Sequence, residues 1–185
     1  MIYVFLASGF EDVEMIAPVD IMRRAGLEVE TVSVTGEKIV TSAHGVGIVA
    51  DRLLSEADLE QADLLVLPGG MPGATNLYAC EPLRQAIRQH HAAGRPLAAI
   101  CAAPLVYGRM GLLAGHRATC YPGFESELEG AEYTGAMVEC DGQFITAKGP
   151  GAAMEFGYAL ASLFVGEPMV LGLRDGMMYS QLLGQ

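Results

Sequence analysis

The chain has 185 residues, 51% of them apolar and 18% charged, with a formal net charge of −11. That length suits one domain, residues 1–185, with a sizeable core, and the composition excludes a disordered chain. The acidic balance excludes nucleic acid and anionic membrane surfaces as partners, since both need a basic face, and no apolar run approaches a membrane span.

Ile2 to Leu6 reads as a buried strand. No basic stretch precedes it and no cleavage site follows it, so it does not read as a signal peptide. Ala7-Ser8-Gly9 is a turn, and a helix begins near Phe10, with Glu11 and Asp12 well placed for its dipole. Glu14 is the odd residue. Its helical neighbours Phe10, Ala17, Pro18 and Ile21 are all apolar. A carboxylate on such a face costs several kcal/mol unless it is paired or protonated. The simpler alternative is that it reaches water at the first turn, and Pro18 signals a kink or restart. Arg23-Arg24-Ala25-Gly26 closes the helix. Met15, Val19 and Met22 read as lying opposite Val13, Ala17 and Ile21. A helix apolar on two sides has two partners, which predicts a homodimer to which this helix contributes.

Leu27 to Val34 is a second strand, and Ile39 to Ala50 a hairpin with His44 at its tip, where a histidine is more often solvated than catalytic. Leu64 to Leu67 is a short buried strand running into Pro68-Gly69-Gly70. Glycines at a strand's carboxyl end leave N–H groups free for an anion or oxyanion, although they equally make an ordinary loop. Glu81 to Ala93 is an amphipathic helix. His90 and His91 are adjacent on it, point apart and make a poor metal pair.

Leu97 to Ile100 is a buried strand that meets Cys101 and then a helical segment, Leu105 to Leu113. Such a reversal holds the apex side chain above the sheet at a helix N-terminus, as in a nucleophile elbow, and there a thiol pKa is expected to fall. Cys101 also reads as a small buried apolar residue, as many free cysteines are. His116 to Tyr121 reads as a strand, Glu125 to Glu132 as a solvated acidic loop, and Thr134 to Glu139 with Phe144 to Ala147 as a hairpin joined through Cys140-Asp141-Gly142. Gly149-Pro150-Gly151 breaks the chain, Ala152 to Val165 is a helix, and one short helix ends it. The four cysteines, Cys80, Cys101, Cys120 and Cys140, have no CxxC spacing. That predicts free thiols, no metal site, and a reducing, cytoplasmic setting.

Alternating strands and helices predict an α/β fold with a mostly parallel central sheet and helices on both faces, a flavodoxin-like three-layer sandwich. Ligands bind beyond the carboxyl ends of such strands. Ser8-Gly9, Gly69-Gly70 and Cys101 each follow a strand, so all three fall on that edge, and the convergence favours the catalytic reading of Cys101.

Several stretches resemble the ThiJ/PfpI superfamily, within the class I glutamine amidotransferase-like fold. They are Glu11-Asp12-Val13-Glu14, Pro18-Val19-Asp20, Arg23-Arg24-Ala25-Gly26, Leu67-Pro68-Gly69-Gly70, Ala99-Ile100-Cys101-Ala102, Lys148-Gly149-Pro150-Gly151 and Glu155-Phe156. The branch is that of the parkinsonism-associated deglycase and its bacterial relatives. The resemblance implies a reactive Cys101, a Glu14 hydrogen-bonded to its sulfur, and backbone oxyanion donors at Gly70 and Ala102. It also implies pocket positions at Glu11, Gly69, Arg24 and Pro150, and a homodimer. Tyr121 stands where some members carry a histidine, and His44 where close relatives carry an arginine reaching the partner's pocket. Ala102 replaces the histidine of the protease-like branch, which counts against protease and amidotransferase activity. The implied function is a cofactor-free glyoxalase or deglycase acting on a small dicarbonyl or glycated substrate. The alternatives are an oxidative-stress sensor and a chaperone.

Overall fold

The computed structural model describes residues 1–182 and 184. Its strands are β1 (Ile2–Leu6), β2 (Val29–Ser33), β3 (Ile39–Thr41), β4 (Gly47–Val49), β5 (Arg52–Leu53), β6 (Leu64–Leu67), β7 (Leu97–Ile100), β8 (Arg117–Ala118), β9 (Glu132–Tyr133), β10 (Val138–Asp141) and β11 (Phe144–Ala147). The helices are α1 (Asp12–Arg24), α2 (Gly73–Ala79), α3 (Glu81–Ala92), α4 (Pro104–Arg109), α5 (Ala153–Val165), α6 (Glu167–Gly176) and α7 (Tyr179–Leu182).

The main sheet runs β10-β11-β7-β6-β1-β2-β5. All its pairings are parallel except β10 with β11. The residues of β1, β6 and β7 are buried throughout, as strands covered on both faces must be. Helices surround the sheet in two groups. α1 packs on α5, which also meets β7, β10 and β11, while α2 packs on α3 and α4. No helix among the described residues is long and apolar enough to cross a membrane.

α1 runs unbroken through Pro18. Its fit against α5 depends on Gly157, where a Cβ would lie 2.7 Å from Ile21 Cδ1 and 3.0 Å from Pro18 Cα. Ile21 is therefore buried with Met15, Val19 and Met22, and the exposed apolar residues of the helix are Val13 and Ile16. The expected second apolar side is covered in part by the chain itself.

Three expectations fail locally, and one helix has no signal in the sequence. His116 to Tyr121 is strand only at β8, which pairs with β9 in a separate ribbon. Around it the backbone is held by side chains and loops. Arg117 N–H donates to Asp141 Oδ2 at 2.8 Å, Thr119 N–H to Thr146 Oγ1 at 2.9 Å, and Tyr121 N–H to the Cys101 carbonyl at 2.8 Å. The β10–β11 turn is Gly142-Gln143, so Cys140 belongs to a strand. The glycine-rich start of α2 hides a helix, because Gly73 packs on Gly9, with a Cβ there only 2.7 Å from the Gly9 carbonyl oxygen. After Glu167 there are two helices, separated at Met178, whose φ is 59°.

Candidate active site

Cys101 occupies the turn between β7 and α4 with φ 65°, a left-handed conformation that costs a non-glycine residue energy. Its N–H donates to the Ala147 carbonyl at 2.8 Å, which ties the turn to the end of β11. The side chain is 8% exposed. The backbone N–H groups of Gly70 and Ala102 lie near enough to its sulfur to pull its pKa down. These two donors come from the end of β6 and from the turn itself, so the parallel register of β6 and β7 brings them together.

Glu14 lies in the first turn of α1 and is fully buried. Glu11 caps this helix, its Oε2 accepting from the Glu14 N–H at 2.8 Å. Glu14 Oε2 accepts from the Gly69 N–H at 3.0 Å, and Oε1 has no hydrogen-bond partner among the described residues. The Cys101 thiol interacts with this carboxyl. Gly69 is wedged between the two side chains. A Cβ there would lie 2.7 Å from Cys101 Cβ, 2.7 Å from Glu14 Oε2 and 2.8 Å from the Ile100 carbonyl oxygen. We therefore expect Gly69→Ala to lower the melting temperature by several degrees, since core overpacking costs ~1–3 kcal/mol. It should also change the alkylation rate of Cys101. A variant that melts and alkylates like the parent would contradict this geometry.

Burial pushes the Glu14 carboxyl up to about 7, and the negative charge of Glu11 adds to the shift. The Gly69 N–H and the thiol oppose it. Burial also pushes the Cys101 thiol up, and the Glu14 carboxylate pushes it further, against the pull of the Gly70 and Ala102 N–H groups. This reverses the expected lowering by a helix N-terminus. α4 is only six residues long and begins at Pro104, beyond Cys101 and two alanines, so its dipole is weak at the sulfur. Both shifts favour the neutral pair, a thiol beside a carboxylic acid, and the first proton to leave it near neutral pH is the carboxyl's.

The remaining positions divide. Tyr121 and Pro150 line a cavity of about 230 Å³ with Pro122, Met137, Lys148 and Gly149; Cys101 does not line it, and the Tyr121 N–H bond to the Cys101 carbonyl links it to that turn. His44 sits at the β3–β4 tip, which returns to α1 through the Ala43 N–H bond to the Phe10 carbonyl at 2.8 Å. His44 Nδ1 lies 2.7 Å from Asp12 Oδ2, and the imidazole is mostly exposed. Glu11, Asp12 and His44 place potential ligand atoms within 4.8 Å of one another, with Asp12 already bonded to His44. Arg24 is not brought to Cys101. It lies almost three turns along α1 from Glu14, paired with Asp20 at 2.7 Å. Lys148 enters the sequence reading only as part of a motif. Its position beside Cys101 depends on the β7–β11 pairing, for which the sequence carries no local signal.

A parallel α/β sheet with a cysteine at a strand–helix turn, and a buried acid beside it from the first helix, defines a class of thiol proteins. The chain belongs to the DJ-1/PfpI family, whose profile matches residues 1–163. It is 41% identical over 164 residues to Protein DJ-1 homolog B of Arabidopsis thaliana, covering 88% of this chain and 37% of that protein. The chain thus spans about two fifths of the length of the plant relatives it matches. A deglycase of Pyrococcus abyssi is 31% identical over 153 residues, covering 81% of this chain and 90% of its own. Among solved structures, the cysteine-to-alanine mutant of a DJ-1 superfamily protein from Salmonella typhimurium superposes with a TM-score of 0.92 at 34% identity, over 96% of this chain and 97% of that one.

Proposed function

We propose that this chain is a cofactor-free, cysteine-dependent enzyme of glyoxalase or deglycase type, acting on 2-oxoaldehydes such as methylglyoxal or on early glycation adducts. The observation that carries the reading is the fully buried Glu14, with one oxygen unpartnered among the described residues, wedged against Cys101 across Gly69. The Pyrococcus relative named as a deglycase supports it.

Cys101 Sγ attacks the aldehyde carbon as its proton passes to Glu14. The new S–C bond gives a hemithioacetal, and its oxygen is held by the Gly70 and Ala102 N–H groups before it takes a proton. Glu14, again a carboxylate, removes the proton from that carbon and returns it to the neighbouring carbonyl carbon through an enediol. The product is a lactoyl thioester, which water cleaves to lactate and free thiol. One carbon is oxidised and its neighbour reduced, so no external redox agent is needed. Lactate formed from methylglyoxal without glutathione tests the proposal, and a parent protein that forms none overturns it.

A second reading is a peroxide sensor. The same two N–H groups and a protonated Glu14 would hold the oxygens of a sulfinate on Cys101. Glu14 is needed to move a proton between carbons but not for simple thiol oxidation, so Glu14→Gln separates the two. A holdase chaperone would survive Cys101→Ala.

The proposal includes a homodimer. Val13 and Ile16 of α1 are 48% and 46% exposed, and the nearby hairpin exposes Ile39, Val46 and Val49. A groove of about 290 Å³ between them is lined by Met15, Ile16, Val19, Ile48 and Val49 together with polar residues that include Arg23 and Asp51. Light scattering at micromolar concentration should give a dimer mass, and Ile16→Glu should shift it towards monomer. A monomeric parent would refute the assembly.

A further inference from the structure

A cavity whose segments bond to the Cys101 backbone, though Cys101 itself does not line it, combines apolar walls with one cation. Tyr121, Pro122, Met137 and Pro150 form its walls, and Lys148 lines it with them. Its segments flank the backbone of Cys101 on two sides. Tyr121 N–H donates to the Cys101 carbonyl at 2.8 Å, and Cys101 N–H donates to the carbonyl of Ala147, the residue before Lys148. Ala147 is in register with Ile100, so Lys148 leaves β11 alongside Cys101. Lys148 is anchored at both ends. Its N–H donates to the Met137 carbonyl at 3.0 Å and its Nζ to the Gly135 carbonyl at 3.1 Å.

The charge on Lys148 has no carboxylate partner among the described residues, whereas Lys38, the chain's other lysine, is 3.1 Å from Glu56. On a chain of net charge −11, a lysine with no carboxylate partner among the described residues, lining an otherwise apolar cavity, is a selective feature. There it attracts an anion more strongly than it would on the open surface. Glu125 accepts the Gly123 N–H at 2.8 Å and is not paired with Lys148. A cavity of about 230 Å³ has room for roughly seven waters' worth of liquid volume, enough for a short acid side chain.

We propose that this cavity receives the far end of the substrate and that Lys148 selects a carboxylate there, so that the preferred substrates are 2-oxoaldehydes with a terminal carboxylate. The proposal rests on Cys101 being the nucleophile of the reaction described above. For 4,5-dioxopentanoate the balance is that of methylglyoxal. The sulfur bonds to the aldehyde carbon, the proton on that carbon moves to its neighbour, and water releases 2-hydroxyglutarate with the loss of one proton.

The test compares kcat/KM for 4,5-dioxopentanoate with that for its methyl ester, in the parent, Lys148→Met and Lys148→Arg. The ratio of acid to ester cancels any general damage to the site. It should be about tenfold in the parent, close to one in the methionine variant and largely restored by arginine. In the parent it should also fall towards one as salt is raised, a readout that needs no variant to fold. A parent without preference for the acid, or a methionine variant with the parent's ratio, overturns the inference while leaving the proposed reaction in place. No turnover of either compound by a protein that forms lactate from methylglyoxal overturns the inference alone, and no turnover of methylglyoxal either overturns the proposed reaction and the inference with it.

Discussion

Cys101→Ser is expected to cut lactate formation from methylglyoxal by about three orders of magnitude or more. The substitution is nearly isosteric at a side chain that is 8% exposed, so the fold should survive it. What changes is the acid. A hydroxyl is a far weaker acid than a thiol, and Glu14, with its carboxyl at about 7, cannot take its proton to any useful extent. The Gly70 and Ala102 N–H groups remain, so the variant should still bind substrate while failing to form the covalent adduct. The measurement is lactate release together with a melting curve. A serine variant that melts like the parent and keeps more than about a tenth of its rate would overturn the role of the sulfur.

Glu14→Gln should lose about 10²- to 10⁴-fold in kcat/KM, the range expected when a positioned acid–base group is removed. The parent's kcat/KM should rise through about pH 7, because the reactive form is the pair that has lost one proton. The variant should lose that inflection. Stability should move the other way. The folded carboxyl ionises near 7 and the unfolded one near 4.5. Below 4.5 both states are protonated and the group contributes no pH dependence. Between 4.5 and 7 the unfolded chain has released a proton that the fold still holds, so stability falls as pH rises. Above 7 the penalty levels off at about 3 kcal/mol. Glutamine is neutral throughout, and its carbonyl oxygen can accept the Gly69 N–H in place of Oε2. The variant should therefore gain stability over the parent between about pH 4 and pH 8 as it loses catalysis. Denaturant titrations at the two ends check this, and a difference that does not vary with pH would show that Glu14 is not raised.

The parts of this fold legible in the sequence are those governed by short-range pattern. The apolar runs Ile2–Leu6, Leu64–Leu67 and Leu97–Ile100 are strands of the main sheet because a four- or five-residue apolar run has few other uses. Their carboxyl ends share one edge, which places Glu14, Gly69 and Cys101 together. What was not legible depends on contacts between distant segments. α2 begins with residues that ordinarily break helices, and only its packing on Gly9 accounts for the glycine. The environment of Cys101 is hidden as well, because the sequence shows a helix following the cysteine but neither its short length nor the depth of burial. Arg24 was carried to the pocket by motif alone, while its helix takes it away from Cys101 within the chain.

The parallel order β11-β7-β6-β1 also has a consequence for how the chain acquires its reactivity. Parallel neighbours cannot form from a tight hairpin, and each of these pairings closes a long loop before any contact rewards it. Glu14 follows β1, Gly69 follows β6 and Cys101 follows β7, so the three residues have no local means of finding one another. Their assembly reports completion of the central sheet. During refolding Cys101 should behave as an ordinary unfolded thiol until late. Pulsed alkylation would then time the closure of the sheet itself.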